Sequence, residues 1–132
     1  MRRTLFVFFM MVLAGAALLS ACGPQGGGDP AAATVDAYLQ ALVAKEDDRI
    51  STLSCAEWEE QALLEMDAFQ AVQTELEGPD CEQTGTEGDT ALVSCQGQIL
   101  ATYGEEQQEF PLSDRTYQVI QEGGEWRVCG YR

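Results

Sequence analysis

The stretch ALVSCQGQILATY, residues 91–103, alternates along its whole length between two sets of side chains. Residues with a period of two lie on opposite faces of a β-strand. One set is more polar, with serine, glutamine or threonine at most of its positions. The stretch therefore predicts a long strand that turns its other, apolar or small set toward a core: Ala91, Val93, Cys95, Gly97, Ile99, Ala101 and Tyr103.

Three more strands are predicted around this one, each separated from the next by a turn rich in glycine or glutamate. The alternation slips near Pro111, which indicates a bulge in the third strand. Consecutive strands joined by short turns predict a four-stranded antiparallel meander. Its strands run from residue 80 to the turn at 85–89, and over 91–103, 110–119 and 126–131.

Two helices are predicted before the sheet. Asp29 and Pro30 are typical of a helix start, because aspartate caps the first turn and proline is favoured at its first position. A Ser-x-x-Glu capping box that begins at Ser54 predicts a second helix over 55–72, ended by Gly78 and Pro79. Both helices carry apolar residues at steps of three or four: Val35, Tyr38, Leu39, Leu42 and Val43, then Trp58, Ala62, Met66, Phe69 and Val72.

Helices segregated from strands are typical of the α+β class. The chain of 132 residues fits one ordinary domain, which we place at 30–132. We expect the two N-terminal helices to cover one face of a curved sheet.

The first 22 residues have the features of a bacterial export signal. Arg2 and Arg3 precede an apolar run over 5–18, and Leu19-Ser20-Ala21-Cys22 follows. This end of the run resembles the lipobox of bacterial lipoproteins. The resemblance implies that the signal peptide 1–21 is removed and that Cys22 is acylated. The acyl chains would anchor the protein in the bilayer on the extracytoplasmic face of the cell membrane. Where the organism has an outer membrane, that membrane is the alternative. The alternative is an uncleaved transmembrane anchor, for which the run is barely long enough.

Four cysteines remain besides Cys22: Cys55, Cys81, Cys95 and Cys129. An even number in an exported chain predicts two disulfides with three possible connectivities, and free buried thiols are the alternative. If an odd-length loop is centred on Gly88, Cys81 lies opposite Cys95 on paired strands, within disulfide range. Cys55 would then pair with Cys129.

The charge of the chain excludes some partners. It has 22 acidic residues, 7 basic residues and no histidine, for a net charge of −15. Nucleic acid is not an expected partner, because phosphate binding needs clustered lysine and arginine. Residues 22–29, the acylated cysteine and a glycine-rich tether, would hold the domain close to the membrane. The acidity itself is either a solvated surface or a surface for a cationic partner.

The domain over 30–132 resembles the cystatin-like superfamily of nuclear-transport-factor-two-like domains. The similar features are the VDAYLQAL pattern at 35–42, the acidic break at 46–48 and the GGEWRVCG strand at 123–130. More narrowly, it is similar to small lipoproteins of that group without assigned chemistry. The resemblance implies a cone-shaped fold whose first helix lies inside a curved sheet. Some members are isomerases or cyclases and others are binding domains without catalysis.

An isomerase-type site needs a carboxylate base and an oxyanion donor in an apolar pocket. Asp114, Tyr103 and Tyr117 have the right chemistry, and the aromatic residues Tyr38, Trp58 and Trp126 would complete a pocket in the cone. The alternative is that these side chains are core anchors or rim residues. No metal site and no cofactor is predicted, and the absence of histidine excludes a Ser-His triad.

Two functions therefore remain open. The favoured one is a non-catalytic binding or interaction module, not an enzyme, with an unknown partner. The alternative is a small-molecule carrier or sensor domain, or an isomerase-type enzyme. An interior filled by Val35, Tyr38, Leu39, Trp58 and Trp126 would favour the first, and a deep cavity with an inward carboxylate the second.

Overall fold

A computed structural model describes residues 28–132, which form an α+β fold of three helices and a five-stranded antiparallel sheet. The class agrees with the sequence prediction, whereas the numbers of helices and strands differ. The predicted signal peptide 1–21, the lipidation site Cys22 and the tether to residue 27 lie outside the described residues. Within residues 28–132, none of the helices combines the length and apolarity that crossing a bilayer requires.

Three helices precede the sheet, and the first starts as predicted. The Asp29 carboxylate accepts a hydrogen bond of 2.8 Å from the Ala31 amide, and Pro30 is the first helical residue. The apolar stripe of this helix is buried, with Val35 and Leu39 fully inaccessible to solvent. The helices are α1, Pro30–Ala44, α2, Asp47–Leu53, and α3, Glu59–Asp67.

The bounds of the predicted second helix are wrong. Ser54 does not form a capping box. It follows α2, where its amide donates to the carbonyl of Ile50, and it pairs with Val128 in a β-bridge. Gly78 and Pro79 do not end a helix either, because they lie in an irregular part of the first strand.

The sheet has five strands because the predicted third strand is split. A 3-10 turn over Leu112–Asp114 stands where the bulge was predicted, and it places Leu112 in the core. The two parts pair with different halves of the long second strand, so the order is β1-β2-β4-β5 with β3 beside β2. The strands are β1, Gln73–Glu87, β2, Thr90–Tyr103, β3, Glu106–Pro111, β4, Thr116–Glu122, and β5, Glu125–Tyr131.

The core lies between α1 and one face of the sheet. The face of β2 that was predicted to be apolar is buried at Ala91, Val93, Cys95, Ile99 and Ala101. Tyr103, at the end of the same face, is 39% exposed. The periodicity therefore predicts most of the buried face of β2, but Gly97 on that face is only partly buried and Leu100 on the opposite face is buried as well.

The four cysteines lie at disulfide distance in the pairs Cys55–Cys129 and Cys81–Cys95. The hairpin register does not arise from the predicted odd-length loop centred on Gly88. Its turn is the two-residue Gly88-Asp89, and an irregularity between Gln83 and Gly85 shifts the register by one, which sets Cys81 opposite Cys95.

Candidate functional site

Three of the six side chains predicted to line a pocket meet at one end of the interior. Tyr38 on α1 and Tyr117 on β4 are fully buried, with their ring centroids 6.4 Å apart in an edge-to-face arrangement. Trp58, which precedes α3, donates a hydrogen bond of 3.3 Å from Nε1 to the hydroxyl of Tyr38. These three residues therefore form a common site.

The other three lie elsewhere. Tyr103 is exposed at the end of β2, and Asp114 is exposed in the 3-10 turn. Trp126 is half-buried on β5, where it lines a surface depression with Ala91 and Gln121. The structure does not bring Asp114, the predicted base, together with the buried tyrosines.

The carboxylate at the common site belongs to Glu65 on α3, which was not among the predicted site residues. Its Oε1 lies 2.5 Å from Nη1 of Arg115 and accepts a hydrogen bond of 3.4 Å from the Tyr131 hydroxyl. Its Oε2 accepts from the Tyr38 hydroxyl at 3.3 Å. The side chain is only 11% exposed, so a nearly buried carboxylate has partners at both oxygens.

Aromatic rings enclose the ion pair. The guanidinium of Arg115 lies over the ring of Tyr131, 4.2 Å from its centroid. Trp58 and Tyr117 pack edge-to-face against that same ring, with centroid distances of 5.6 and 5.7 Å. Stacking of this kind stabilises a cation and an aromatic ring together. We call the group the Glu65 cluster: Tyr38, Trp58, Glu65, Arg115, Tyr117 and Tyr131.

The electrostatics of the Glu65 cluster keep its tyrosines neutral. Burial raises the pKa of Tyr117 to about 12, and burial together with the nearby Glu65 carboxylate raises the pKa of Tyr38 far above its ordinary value. Burial alone would lower the pKa of Arg115, but the charge of Glu65, with smaller contributions from Tyr117, raises it overall. Near neutral pH the cluster therefore consists of one compensated ion pair and neutral phenols.

One polar atom in the Glu65 cluster is unsatisfied. The hydroxyl of Tyr117 is buried and makes no hydrogen bond of good geometry with any residue of 28–132, although Arg115 is close enough to affect its pKa. Buried hydroxyls normally have a partner. This atom is the feature of the cluster that a bound water or ligand would explain.

The carboxylate of Glu65 is largely committed to partners inside the domain. A general base must reach its substrate with a free lone pair, and both oxygens of Glu65 already accept hydrogen bonds from side chains within the domain. Five surface depressions on residues 28–132 are lined by other residues, so none of them opens onto the cluster. In the same part of the chain, no group of three or more cysteine, aspartate or glutamate side chains is placed to hold a metal ion.

A sequence signal for Glu65 existed. The residue lies in the apolar pattern of α3, between the buried Ala62 and Met66, where a charge indicates a partner inside the fold. The partner was harder to find. Arg115 follows Asp114 directly in the sequence, but its ion pair is made with Glu65, 50 positions away.

Neither a protein-family model nor a curated protein matches this chain. Among solved structures, the chain is similar to that of a SEC-C motif containing protein from Rhodopseudomonas palustris. The TM-score is 0.51 at 14% sequence identity, and the match covers 79% of this chain and 80% of the other. At this identity the likeness concerns the fold alone.

Proposed function

We propose that this chain is a membrane-anchored extracytoplasmic lipoprotein whose domain is a non-catalytic binding module. The observation that carries the non-catalytic part is the internal compensation of Glu65, a carboxylate that lies among the buried aromatic residues of the domain. A carboxylate held by an arginine and two phenols has three of its roughly four lone-pair sites occupied within the domain, which favours a structural role over that of a general base. The partner would be met on the outer surface, and nucleic acid is not expected there.

The anchoring part is supported by the sequence alone. The lipobox-like Leu19-Ser20-Ala21-Cys22 follows an apolar run, and the glycine-rich tether separates it from Asp29, where the first helix is capped. The bilayer would be bound through acylated Cys22, because an acidic domain is repelled by anionic headgroups.

We also propose that the fold is of the cystatin-like kind. The support is a long first helix packed on an antiparallel sheet, with Val35, Tyr38 and Leu39 fully buried between the two. Within that superfamily fold does not determine function.

A small-molecule carrier or isomerase-type function is the second candidate. The specific observation in its favour is the buried Tyr117 hydroxyl without a partner, next to an inward carboxylate. A ligand that accepts a hydrogen bond from this hydroxyl would need the cluster to open.

The anchor is tested by fractionating cells that produce the full chain or its Cys22→Ala variant. We expect the unmodified chain in the membrane fraction and the variant in the soluble extracytoplasmic fraction, because only a thiol can form the thioether to the lipid. Cys95→Ala is the matched control, since it removes another cysteine and should leave the chain on the membrane. A Cys22→Ala chain that stays on membranes would show that the lipobox interpretation is wrong.

The choice between the two functions is tested with 1-anilinonaphthalene-8-sulfonate, an anionic dye whose fluorescence rises in apolar surroundings. We expect no saturable fluorescence increase with the folded chain, because the residues that would line a pocket are packed together. A one-to-one binding curve that disappears in the Tyr117→Phe variant would favour the carrier function instead. Tyr103→Phe is the control, because that ring is exposed.

A further inference from the structure

We propose that the outer edge of β1 at Asp80–Gln83 binds a short, extended, basic peptide segment by strand addition. This inference rests on the binding function proposed above and names the chemistry of the partner. β1 is the last strand of the sheet on its side, so one of its two edges has no neighbouring strand among the described residues. Such an edge presents unpaired main-chain groups to a partner.

The register identifies which main-chain groups face outward. Cys81 and Cys95 lie directly opposite each other with a Cα–Cα distance of 4.0 Å. Opposed residues are about 4.5 Å apart in non-hydrogen-bonded pairs and about 5.5 Å apart in hydrogen-bonded ones. The amide and carbonyl of Cys81 therefore point away from β2, and by alternation those of Gln83 do the same. Outside the ladder between β1 and β2, the main chains of Cys81 and Gln83 make no hydrogen bond within residues 28–132.

A groove lies along this edge, between β1 and the first half of α1. Asp80, Cys81, Glu82 and Gln83 form one wall, and Ala32 and Ala33 lie on the other. The outward main-chain groups of Cys81 and Gln83 therefore adjoin a space that an extended segment can enter. Gly78 and Pro79 interrupt the strand just before it, which limits the addition to a few residues.

Charge determines which segment fits. Asp80 and Glu82 lie on the same face of β1, and neither makes an ion pair or a side-chain hydrogen bond within the described chain. All four arginines of residues 28–132 are already paired with glutamates, and Lys45 donates to the carbonyl of Val72. A partner strand with lysine at every second position would place its cations beside these carboxylates. The residues between the lysines would face Ala32 and Ala33.

A second copy of this chain is a poorer occupant. Edge-to-edge pairing of two β1 strands would bring Asp80 and Glu82 of each copy next to those of the other, and like charges opposed across strands are destabilising. Charge complementarity therefore selects a basic partner.

The experiment measures fluorescence anisotropy of a labelled Lys-Val-Lys-Val-Lys-Val-Lys peptide titrated with the full chain in detergent micelles. Its control is Lys-Pro-Lys-Pro-Lys-Pro-Lys, which has the same charge but lacks the amides that a strand needs. We expect the proline peptide to bind at least about tenfold more weakly, since it loses two or more main-chain hydrogen bonds. Amide hydrogen exchange at Cys81 and Gln83 should slow when the valine peptide binds.

A charge-matched pair of variants tests the location. Asp80→Asn with Glu82→Gln should weaken binding about fivefold. Glu105→Gln with Glu106→Gln, at exposed positions where the β2–β3 turn meets β3, should change it less than about twofold. Equal binding of both peptides, or equal loss in both variants, would reduce the interaction to diffuse attraction and overturn the proposal. The absence of any binding would overturn it too, and would show that the charges only protect the edge from aggregation. Dimers of the chain that dissociate when the peptide is added would show that a second copy is the occupant. These results leave the Cys22 and dye experiments unaffected, so the two proposals fail separately.

Discussion

The regions around the two disulfides differ in how their carboxylates are compensated. Near Cys55–Cys129, Glu65 is almost buried and is matched by Arg115 and two tyrosine hydroxyls. Near Cys81–Cys95, Asp80 and Glu82 lie along a strand edge, and neither is paired with a cation of residues 28–132. One of the few arginines of the chain is thus paired with the carboxylate that is nearly buried. Such pairing is expected, because an unpaired buried charge is strongly unfavourable. The carboxylates without a cation partner lie on the surface, where a cationic partner can bind them.

The largest expected difference between the two regions is in their disulfides. Replacing Cys55 and Cys129 together by serine should lower the free energy of unfolding by about 4.5 kcal/mol, and replacing Cys81 and Cys95 by about 3 kcal/mol, because the first bridge closes the longer loop. The sequence separations are 74 and 14 residues. Urea denaturation of both double variants measures the difference. A reversed order would show that the packing around the hairpin bridge outweighs loop length.

The next effect concerns the buried charge. Glu65→Gln leaves the Arg115 guanidinium without its counter-ion and should lower the free energy of unfolding by about 2–3 kcal/mol in urea denaturation. Glu125→Gln removes the partner of Arg127, but that carboxylate is 70% exposed, so the loss should stay below about 0.5 kcal/mol. Equal losses in the two variants would contradict the distinction between a compensated interior and a solvated surface.

The third effect, which is spread over about two pH units, is a pH dependence of the Glu65 cluster. Burial raises the pKa of Tyr117 from 10.0 to about 12, so the folded state disfavours the phenolate. The contribution of this shift to the free energy of unfolding is then constant below pH 10 and is lost as the pH rises toward 12. The loss is up to about 1.4 kcal/mol per pH unit for each buried tyrosine. Urea denaturation at several alkaline pH values should show this slope, reduced in Tyr117→Phe and unchanged in Tyr103→Phe. An unreduced slope in Tyr117→Phe would assign the dependence to other groups.

Periodicity predicted the parts of the fold that short-range rules control. The start of α1 at Asp29 and Pro30 and the buried face of β2 follow from capping and alternation, which are local properties. Residues 73–77 were expected to follow or extend a helix, but they pair with β2 over a distance that no local pattern encodes. Tertiary pairing overrode the helix-ending signal of Gly78 and Pro79.

The candidate site was predicted less completely for the same reason. Tyr38, Trp58 and Tyr117 were selected for their chemistry, and they do meet, but their common neighbour Glu65 was hidden in a helix pattern interpreted only for its apolar residues. Asp114 and Tyr103 had suitable chemistry and are exposed. Residue type identifies candidates, and only the register of distant strands brings Glu65, Arg115 and Tyr131 together.

The bridge from Cys55 to Cys129 also constrains the order of events in making the protein. A chain that is delivered N-terminus first exposes Cys55 and Cys81 to an oxidant before Cys129 has appeared. Oxidation in order of arrival would join Cys55 to Cys81, and repair requires thiol–disulfide exchange. Mispaired chains should therefore accumulate in a compartment that oxidises thiols but has no disulfide isomerase. The yield of correctly paired protein should depend on isomerase supply more than on oxidising power.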